Sequence, residues 1–137
     1  MHRKFQSLFL CILFSAILTA LRTEYKDTEI GIYDAFLPPD GTPYPFIYLA
    51  DNQQIDQSTK TCIIGSVHQT IHVWHNDPWN RGTVSRILSQ IKSTCRMLRN
   101  TKHFAWDVRH VEQRILSDST TKQPLLHGIL EVEFSFS

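Results

Sequence analysis

A change in hydrophobic period at residues 76–78 constrains the fold more than any other feature of the sequence. Before it, over residues 61–75, apolar side chains alternate with polar or mixed ones, which predicts a long β-strand with one apolar face. Within the break, Asp77 suits a helix N-cap and Pro78 suits the first helical position. After it, six apolar residues recur at helical spacing and predict a helix over about residues 78–99: Val84, Ile87, Leu88, Ile91, Cys95 and Leu98.

Other segments with alternating or apolar patterns predict further strands. Residues 30–33 and 45–50 form two short apolar runs, separated by a proline-rich loop at 38–43 that cannot hold a strand ladder. Residues 104–115 alternate with one slip of phase, which predicts a strand with a bulge. Residues 129–136 alternate cleanly and predict a closing strand that carries Glu131 and Glu133 on one face.

The predicted elements follow the order helix, strand, strand, strand, helix, strand, strand. This order predicts an α+β fold: a mixed, mostly antiparallel β-sheet with two main helices packed on one face. A chain of 137 residues has the usual size of one domain, and no linker divides it, so we expect a single domain over residues 1–137.

The N-terminal segment has two interpretations. Met1 to Lys4 is basic and residues 8–14 are an apolar run, as in a secretory signal or a short membrane anchor over residues 1–21. The same residues also place apolar and polar side chains on opposite sides of a helical wheel, which predicts a packing helix over about residues 5–26. Composition alone leaves the two interpretations nearly even, and the absence of a disulfide pattern favours the helix.

Charge and cysteine content limit the function. The net charge is +1, from 14 basic and 13 acidic residues, which argues against nucleic-acid binding as the main role. The densest basic stretch, residues 92–102, is typical of a solvated helix face. Cys11, Cys62 and Cys95 are odd in number and lack CxxC spacing, so we expect three free, buried thiols in a reducing compartment.

No motif with catalytic or metal-binding spacing is found. His68 and His72 on one strand would lie about 13 Å apart, too far to share one zinc ion. Motifs for a serine nucleophile or a phosphate-binding loop are absent, and Glu131 with Glu133 is more typical of a solvated sheet face than of an acid/base pair. We therefore expect no catalytic residues, no metal and no cofactor, although a small histidine-based enzyme stays a possible reading.

Surface aromatic residues are the remaining feature of the sequence that indicates a function. Trp79 stands between a predicted strand and a predicted helix, next to Arg81, and Trp and Arg are enriched at interface hot spots. We expect the segment from Trp74 to Arg81 to contribute to a protein interface.

Three segments resemble the tail completion proteins of long-tailed phages, which are also called tail terminator or tail-to-head joining proteins. They are Thr42-Pro43-Tyr44-Pro45-Phe46-Ile47-Tyr48, Gln69-Thr70-Ile71-His72-Val73-Trp74-His75 and Leu125-Leu126-His127-Gly128-Ile129-Leu130-Glu131-Val132-Glu133-Phe134. The resemblance covers nearly the whole chain and includes a leading helix, which favours the helix interpretation of the N-terminus.

The resemblance implies a virion structural protein at the head-proximal end of the tail, assembled in the host cytoplasm. Such a protein forms a ring, usually a hexamer, which caps the tail tube and ends its polymerisation. Its partners would be further copies of itself, the tail tube protein and the head-completion or connector protein, without a membrane or specific nucleic-acid recognition. The alternative is a small secreted or membrane-anchored protein.

The resemblance implies contact surfaces and no catalytic positions. From exposure and composition we expect ring or docking contacts in the polar segment 51–60, which would form a loop or the tips of two strands, and in the turn 77–81. The candidate interface residues are Asp51, Asn52, Gln53, Gln54, Trp74, Asp77, Trp79 and Arg81.

Overall fold

The computed structural model describes residues 2–34, 36–58, 63–101, 104–120 and 122–136. Two helices and six strands follow one another along the chain: α1 (His2–Glu24), β1 (Gly31–Asp34), β2 (Phe46–Ser58), β3 (Ile63–His75), α2 (Arg81–Met97), β4 (Asn100–Thr101), β5 (Phe104–Asp118) and β6 (Leu125–Phe136).

The six strands form one sheet in the order β1-β2-β3-β6-β5-β4. β1 pairs with β2 in parallel, and every other neighbouring pair is antiparallel. The prediction of a mixed, mostly antiparallel α+β fold is therefore confirmed. The connections β2–β3 and β5–β6 join strands that are neighbours in the sheet, as the alternating patterns indicated.

Both helices pack on the same face of the sheet. The apolar stripe predicted for α2 is buried from Val84 to Cys95, and α1 buries Leu13, Ile17 and Leu21. They meet the inward side chains of β2, β3 and β6: Ile47, Leu49, Val67, Ile71, Val73, Leu126, Leu130, Val132 and Phe134. The other face of the sheet has no helix over it among the described elements.

A glycine allows the close approach of α2 to β6. A Cβ atom at Gly128 would lie 2.7 Å from Cγ1 of Val84 and 3.1 Å from Cδ1 of Leu88. Both distances are shorter than ordinary carbon–carbon contacts of 3.5–4.0 Å. The missing side chain therefore lets the helix rest on the strand.

The start of α2 differs from the prediction. Asn80, not Asp77, is the N-cap, and its side-chain Oδ1 accepts a hydrogen bond from the backbone N–H of Thr83 at 3.2 Å. Asp77 instead accepts the backbone N–H of Trp79 at 3.1 Å. Residues 77–80 thus form a separate turn, because the side chain of Asp77 satisfies a donor inside that turn rather than in the helix.

The segment 51–60 was predicted as a loop or as the tips of two strands, and the second alternative is correct as far as the chain is described. β2 continues without a break to Ser58 and pairs with β3 up to Ile63. Residues 59–62 lie outside the described part of the chain. Asp51 to Gln54 therefore belong to a strand, and a placement of these four residues in a loop is wrong.

Two bulges shape the sheet. The predicted slip in β5 is a register shift between Val108 and His110. A second shift, between Leu49 and Asn52 on β2, was not predicted. Buried Gln69 accompanies it: its side-chain Nε2 donates to the carbonyl of Ala50 at 3.1 Å, so a backbone acceptor freed by the bulge is satisfied from β3.

The N-terminal segment forms the helix α1, which packs on the core through Leu13, Ile17 and Leu21. Tyr25, the residue after the helix, is buried and donates its hydroxyl to Oε1 of Gln90 on α2 at 2.7 Å. In the described chain, helices are either too short or too polar to cross a membrane. The expectation of three buried thiols is correct for Cys95 and wrong for Cys11, which is exposed on α1, while Cys62 lies outside the described residues.

Candidate protein interface

Trp79 is the most exposed large apolar residue at the end of the sheet where β3 leads into α2. Its side chain is 91% exposed, on the turn between His75 and Arg81. Asp77 stabilises the turn by accepting the backbone N–H of Trp79 at 3.1 Å. At the other end, Nη2 of Arg81 donates to Oγ of Ser117, near the end of β5, at 3.4 Å. An indole on a turn fixed at both ends suits a contact with another protein, because the turn would lose little backbone freedom on binding.

Trp74 lies near this turn but on the open face of the sheet. The pairing of β3 with β6 places it opposite His127, and the two rings stack with centroids 3.8 Å apart and planes inclined by 8°. His127 also stacks on His72, at 4.7 Å, and Tyr48 lies 6.0 Å from His72. We call Tyr48, His72, His127 and Trp74 the ring row; it crosses β2, β3 and β6.

The two histidines of the ring row are hydrogen-bonded to each other, through Nδ1 of His72 and Nε2 of His127. Burial, followed by the neighbouring His72, lowers the pKa of His127 to about 4 against the opposing effect of Asp118. Burial also lowers the pKa of His72, against the carboxylates of Asp51 and Glu131. Both imidazoles are therefore neutral at pH 7, and the ring row is an uncharged aromatic surface.

A groove adjoins the ring row at Trp74. The proline-rich loop at residues 37–44 lies over the start of β2 and β6 and encloses a cavity of about 480 Å³ with Phe46, Trp74 and Leu125. Asp118 stands on its rim, and the hydroxyl of Thr120 donates to Oδ1 of Asp118 at 2.6 Å, which holds the pKa of that carboxyl below its usual range. The groove thus combines an apolar floor with a fixed negative charge.

The candidate residues on β2 are exposed but lie apart from Trp79. Asp51, Asn52 and Gln53 border a smaller hollow of about 240 Å³ with Glu131 and the β3 residues 68–70. The side chain of Gln54 lies outside the described part. The structure therefore brings together Trp74, Asp77, Trp79 and Arg81, and it places the β2 candidates on a second surface beyond the bulge.

Sequence reasoning missed His127 and the loop groove. His127 carries no local sequence signal of its own, because its partners Trp74 and His72 are more than 50 residues away and only the strand register brings them together. Within the described residues, no three or more His, Cys, Asp or Glu side chains group closely enough to hold a metal ion. The surface chemistry available here is contact by aromatic, amide and charged groups.

The fold is shared with a bacteriophage protein and with a chain of a gene transfer agent virion. Bacteriophage SPP1 gp17 protein superposes with a TM-score of 0.60 at 18% identity, over 94% of this chain and 93% of that chain. A chain of the virion of a native gene transfer agent particle superposes with a TM-score of 0.53 at 11% identity, over 91% and 92%. No protein-family model and no curated protein matches the sequence. The shared fold is consistent with the resemblance to tail completion proteins.

Proposed function

We propose that this chain is a structural protein of a phage virion which caps the tail tube as a ring, ends tube polymerisation and helps to join the tail to the head. The observation that carries the proposal is the fold, which is common to a bacteriophage protein and to a chain of a phage-like virion over more than nine tenths of each. Of the three sequence segments that resemble tail completion proteins, the first leads into β2, and the other two lie in β3 and β6.

The proposed ring, a hexamer in the virion, requires one surface of each copy to bind a different surface of the next. Repetition of such a contact around a closed rotation gives a ring rather than a filament. The Trp79 turn, residues 76–80, and the ring row supply aromatic contact area. The hollow beside Asp51 supplies a polar surface on β2. In the proposal these surfaces divide between neighbouring copies, the tail tube protein and the head-completion or connector protein.

The proposed role depends on shape and contact, and it needs no reacting groups, cofactor or metal. It places the protein at the head-proximal end of the tail after assembly in the host cytoplasm. The whole chain, residues 1–137, would act as one domain, because both helices and five of the strands, β1, β2, β3, β5 and β6, contribute to one hydrophobic core.

Disruption of the gene in the phage that carries it tests the function. The expected lysate contains DNA-filled heads and separate tails of irregular length, because nothing would stop the tube or join it to the head. Electron microscopy of the lysate gives the result, and supply of the wild-type chain from a plasmid should restore normal virions. Normal virions from the disrupted phage would rule out the proposal.

A further inference from the structure

A basic groove runs between the C-terminal half of α2 and the outer strand β5. Lys92, Arg96, Arg99 and Arg109 line a hollow of about 530 Å³, and Asp107 is the one carboxylate among its described lining residues. None of these four cations has a carboxylate within ion-pair distance in the part of the chain that the structure describes. The groove is thus a concentrated and uncompensated positive surface on a chain whose net charge is only +1.

The positive charge of the groove is greater than the interaction with the dipole of α2 requires. One cation in the last turn of α2, Arg96, suffices to interact with the helix dipole. Lys92 stands four residues before Arg96, and like charges at that spacing destabilise a helix. An anionic partner would compensate these groups.

The opposite charge is found in the turn between α1 and β1. Glu24, Asp27 and Glu29 are exposed there, with Lys26 as the one cation of residues 24–29. No ion pair joins any of the three carboxylates to a described residue. We call residues 24–29 the acidic turn. It is anchored in the fold because Tyr25 is buried and Thr28 donates its hydroxyl to the carbonyl of Tyr25 at 2.7 Å.

The sheet topology places the two charged surfaces at opposite edges. The acidic turn leads directly into β1, the first strand of the order, and the ion pair of Arg22 with Asp34 at 3.6 Å fixes the end of α1 beside that strand. The basic groove includes β5, whose outer edge pairs with β4 only at Phe104 and Ala105. The acidic turn also contacts α2, through the hydrogen bond of Tyr25 to Gln90, but Gln90 and Lys92 are two residues apart and so lie on nearly opposite sides of that helix. The acidic turn is thus on the α1 and β1 flank of α2, and the basic groove is on its β5 flank.

We propose that the acidic turn of one copy docks into the basic groove of the next copy around the ring. This inference rests on the proposed function and names its subunit contact. Two complementary surfaces on different flanks of one chain give a head-to-tail contact, which is the kind that closes a ring. Arg96, Arg99 and Arg109 offer planar guanidinium groups, which bind carboxylates through paired hydrogen bonds.

A nucleic acid fits the groove less well than an acidic protein segment. The lining residues that the structure describes include no Phe, Tyr or Trp on which bases could stack, and stacking supplies much of the affinity for single strands. A concave hollow between a helix and a strand also cannot enter a groove of duplex DNA, which is read by protruding elements.

Charge reversal on purified protein and tails tests the contact. Arg96→Glu with Arg99→Glu reverses the groove, and Asp27→Lys with Glu29→Lys reverses the turn; all four side chains are exposed, so the fold should persist. Circular dichroism and thermal melting check the fold of each variant. Lys122→Glu is the matched control, because it reverses an exposed cation outside both surfaces.

The measurement is the formation of rings on tail tubes purified from the disrupted phage. Electron microscopy shows the rings, and quantitative mass spectrometry gives the number of bound copies per tube. Each double reversal should weaken self-association at least about a hundredfold, because like charges then face each other. The combined quadruple variant should recover rings, and Lys122→Glu should assemble as wild type.

The outcomes separate this inference from the function on which it rests. Wild-type protein that forms no ring on tail tubes would overturn the proposed function and this contact with it. Wild-type rings together with normal rings from both double reversals would overturn the contact alone. Duplex or single-stranded DNA that binds wild-type protein and is lost in Arg96→Glu with Arg99→Glu, while rings persist, would also overturn it in favour of a nucleic-acid surface.

Discussion

The indole of Trp74 lies flat on the imidazole of His127, at a centroid distance of 3.8 Å and an angle of 8°. The two residues are direct partners in the β3–β6 register, and His72 is the diagonal neighbour that completes the stack. Aromatic partners on facing strands stabilise a sheet by about 0.2–1 kcal/mol per pair. The contact also leaves an uncharged aromatic surface on the open face.

The stability of the fold should fall as the pH is lowered through the range of these histidines. The folded pKa of His127 is about 4, below its ordinary value of 6.5, so the unfolded chain binds more protons between these values. The stabilisation is present above about pH 6.5 and is lost as the pH falls towards 4. After a discount for solvent screening, we expect a loss of about 1 kcal/mol in the free energy of unfolding.

Urea unfolding at pH 7, 5.5 and 4.5 measures this loss. His127→Gln is the control, because an amide keeps hydrogen-bonding capacity without titration, and its dependence on pH should be shallower. The groups that face the pair are Asp51, Asp118, Glu131 and Arg114. Equal slopes for the wild type and His127→Gln would contradict the prediction.

Gly128→Ala should destabilise the protein by about 1–3 kcal/mol, because its Cβ would lie 2.7 Å from the side chain of Val84 in a packed core. Gly82→Ala is the matched control. It lies on α2 with nothing within 4 Å of its added Cβ, so it should be neutral or stabilise the helix by up to about 1 kcal/mol. Chemical denaturation of both variants gives the comparison, and similar stabilities would show that α2 does not rest on β6 at this point.

Asn80→Ala should lower the free energy of unfolding by about 1 kcal/mol, because the N–H of Thr83 loses its capping acceptor. Asp77→Ala removes an acceptor from an exposed turn and should have the smaller effect on α2. Thermal melting followed by circular dichroism distinguishes the two. A larger loss for Asp77→Ala would support the cap that the sequence suggested.

Trp79→Ala should leave the free energy of unfolding within about 0.5 kcal/mol of the wild type, because the side chain is almost fully exposed. The same variant should assemble poorly on tail tubes if the Trp79 turn is an interface, and Arg81→Ala should do so to a smaller extent. Trp106→Ala is the contrast: this indole is 4% exposed, and its loss should cost about 3–5 kcal/mol of stability. If Trp79→Ala and Arg81→Ala both assemble as the wild type does, the hypothesis that this turn is an interface is wrong.

Much of the fold follows from local patterns. The stripe from Val84 to Cys95 predicted α2 because a helix repeats its buried face every 3.6 residues, and the phase slip near Val108 predicted the β5 bulge. Asp77 misled the prediction of the helix start because two residues close together, Asp77 and Asn80, have side chains suited to capping. Only the backbone path decides which one faces the free N–H groups.

The candidate interface was predictable in part. Trp79 and Arg81 stood out because an indole between two elements has no periodic place in a core, and Trp79 is indeed exposed. His127 gave no local signal, because its role depends on pairing with a strand that lies far from it in sequence. Gln69 gave none either, since a glutamine in an alternating strand looks solvent-facing until a bulge on β2 exposes a carbonyl to it.

The sequence by itself determined the types, the order and the apolar faces of all elements except the two-residue strand β4, because these properties depend on side-chain periodicity within one segment. Strand order, register and the faces left uncovered were decided only by the tertiary structure. They place Trp74 on His127, and they put the acidic turn beside β1 and the basic groove beside β5. Such relations depend on contacts between distant segments, whose free energy comes from packing the whole core rather than from any local preference.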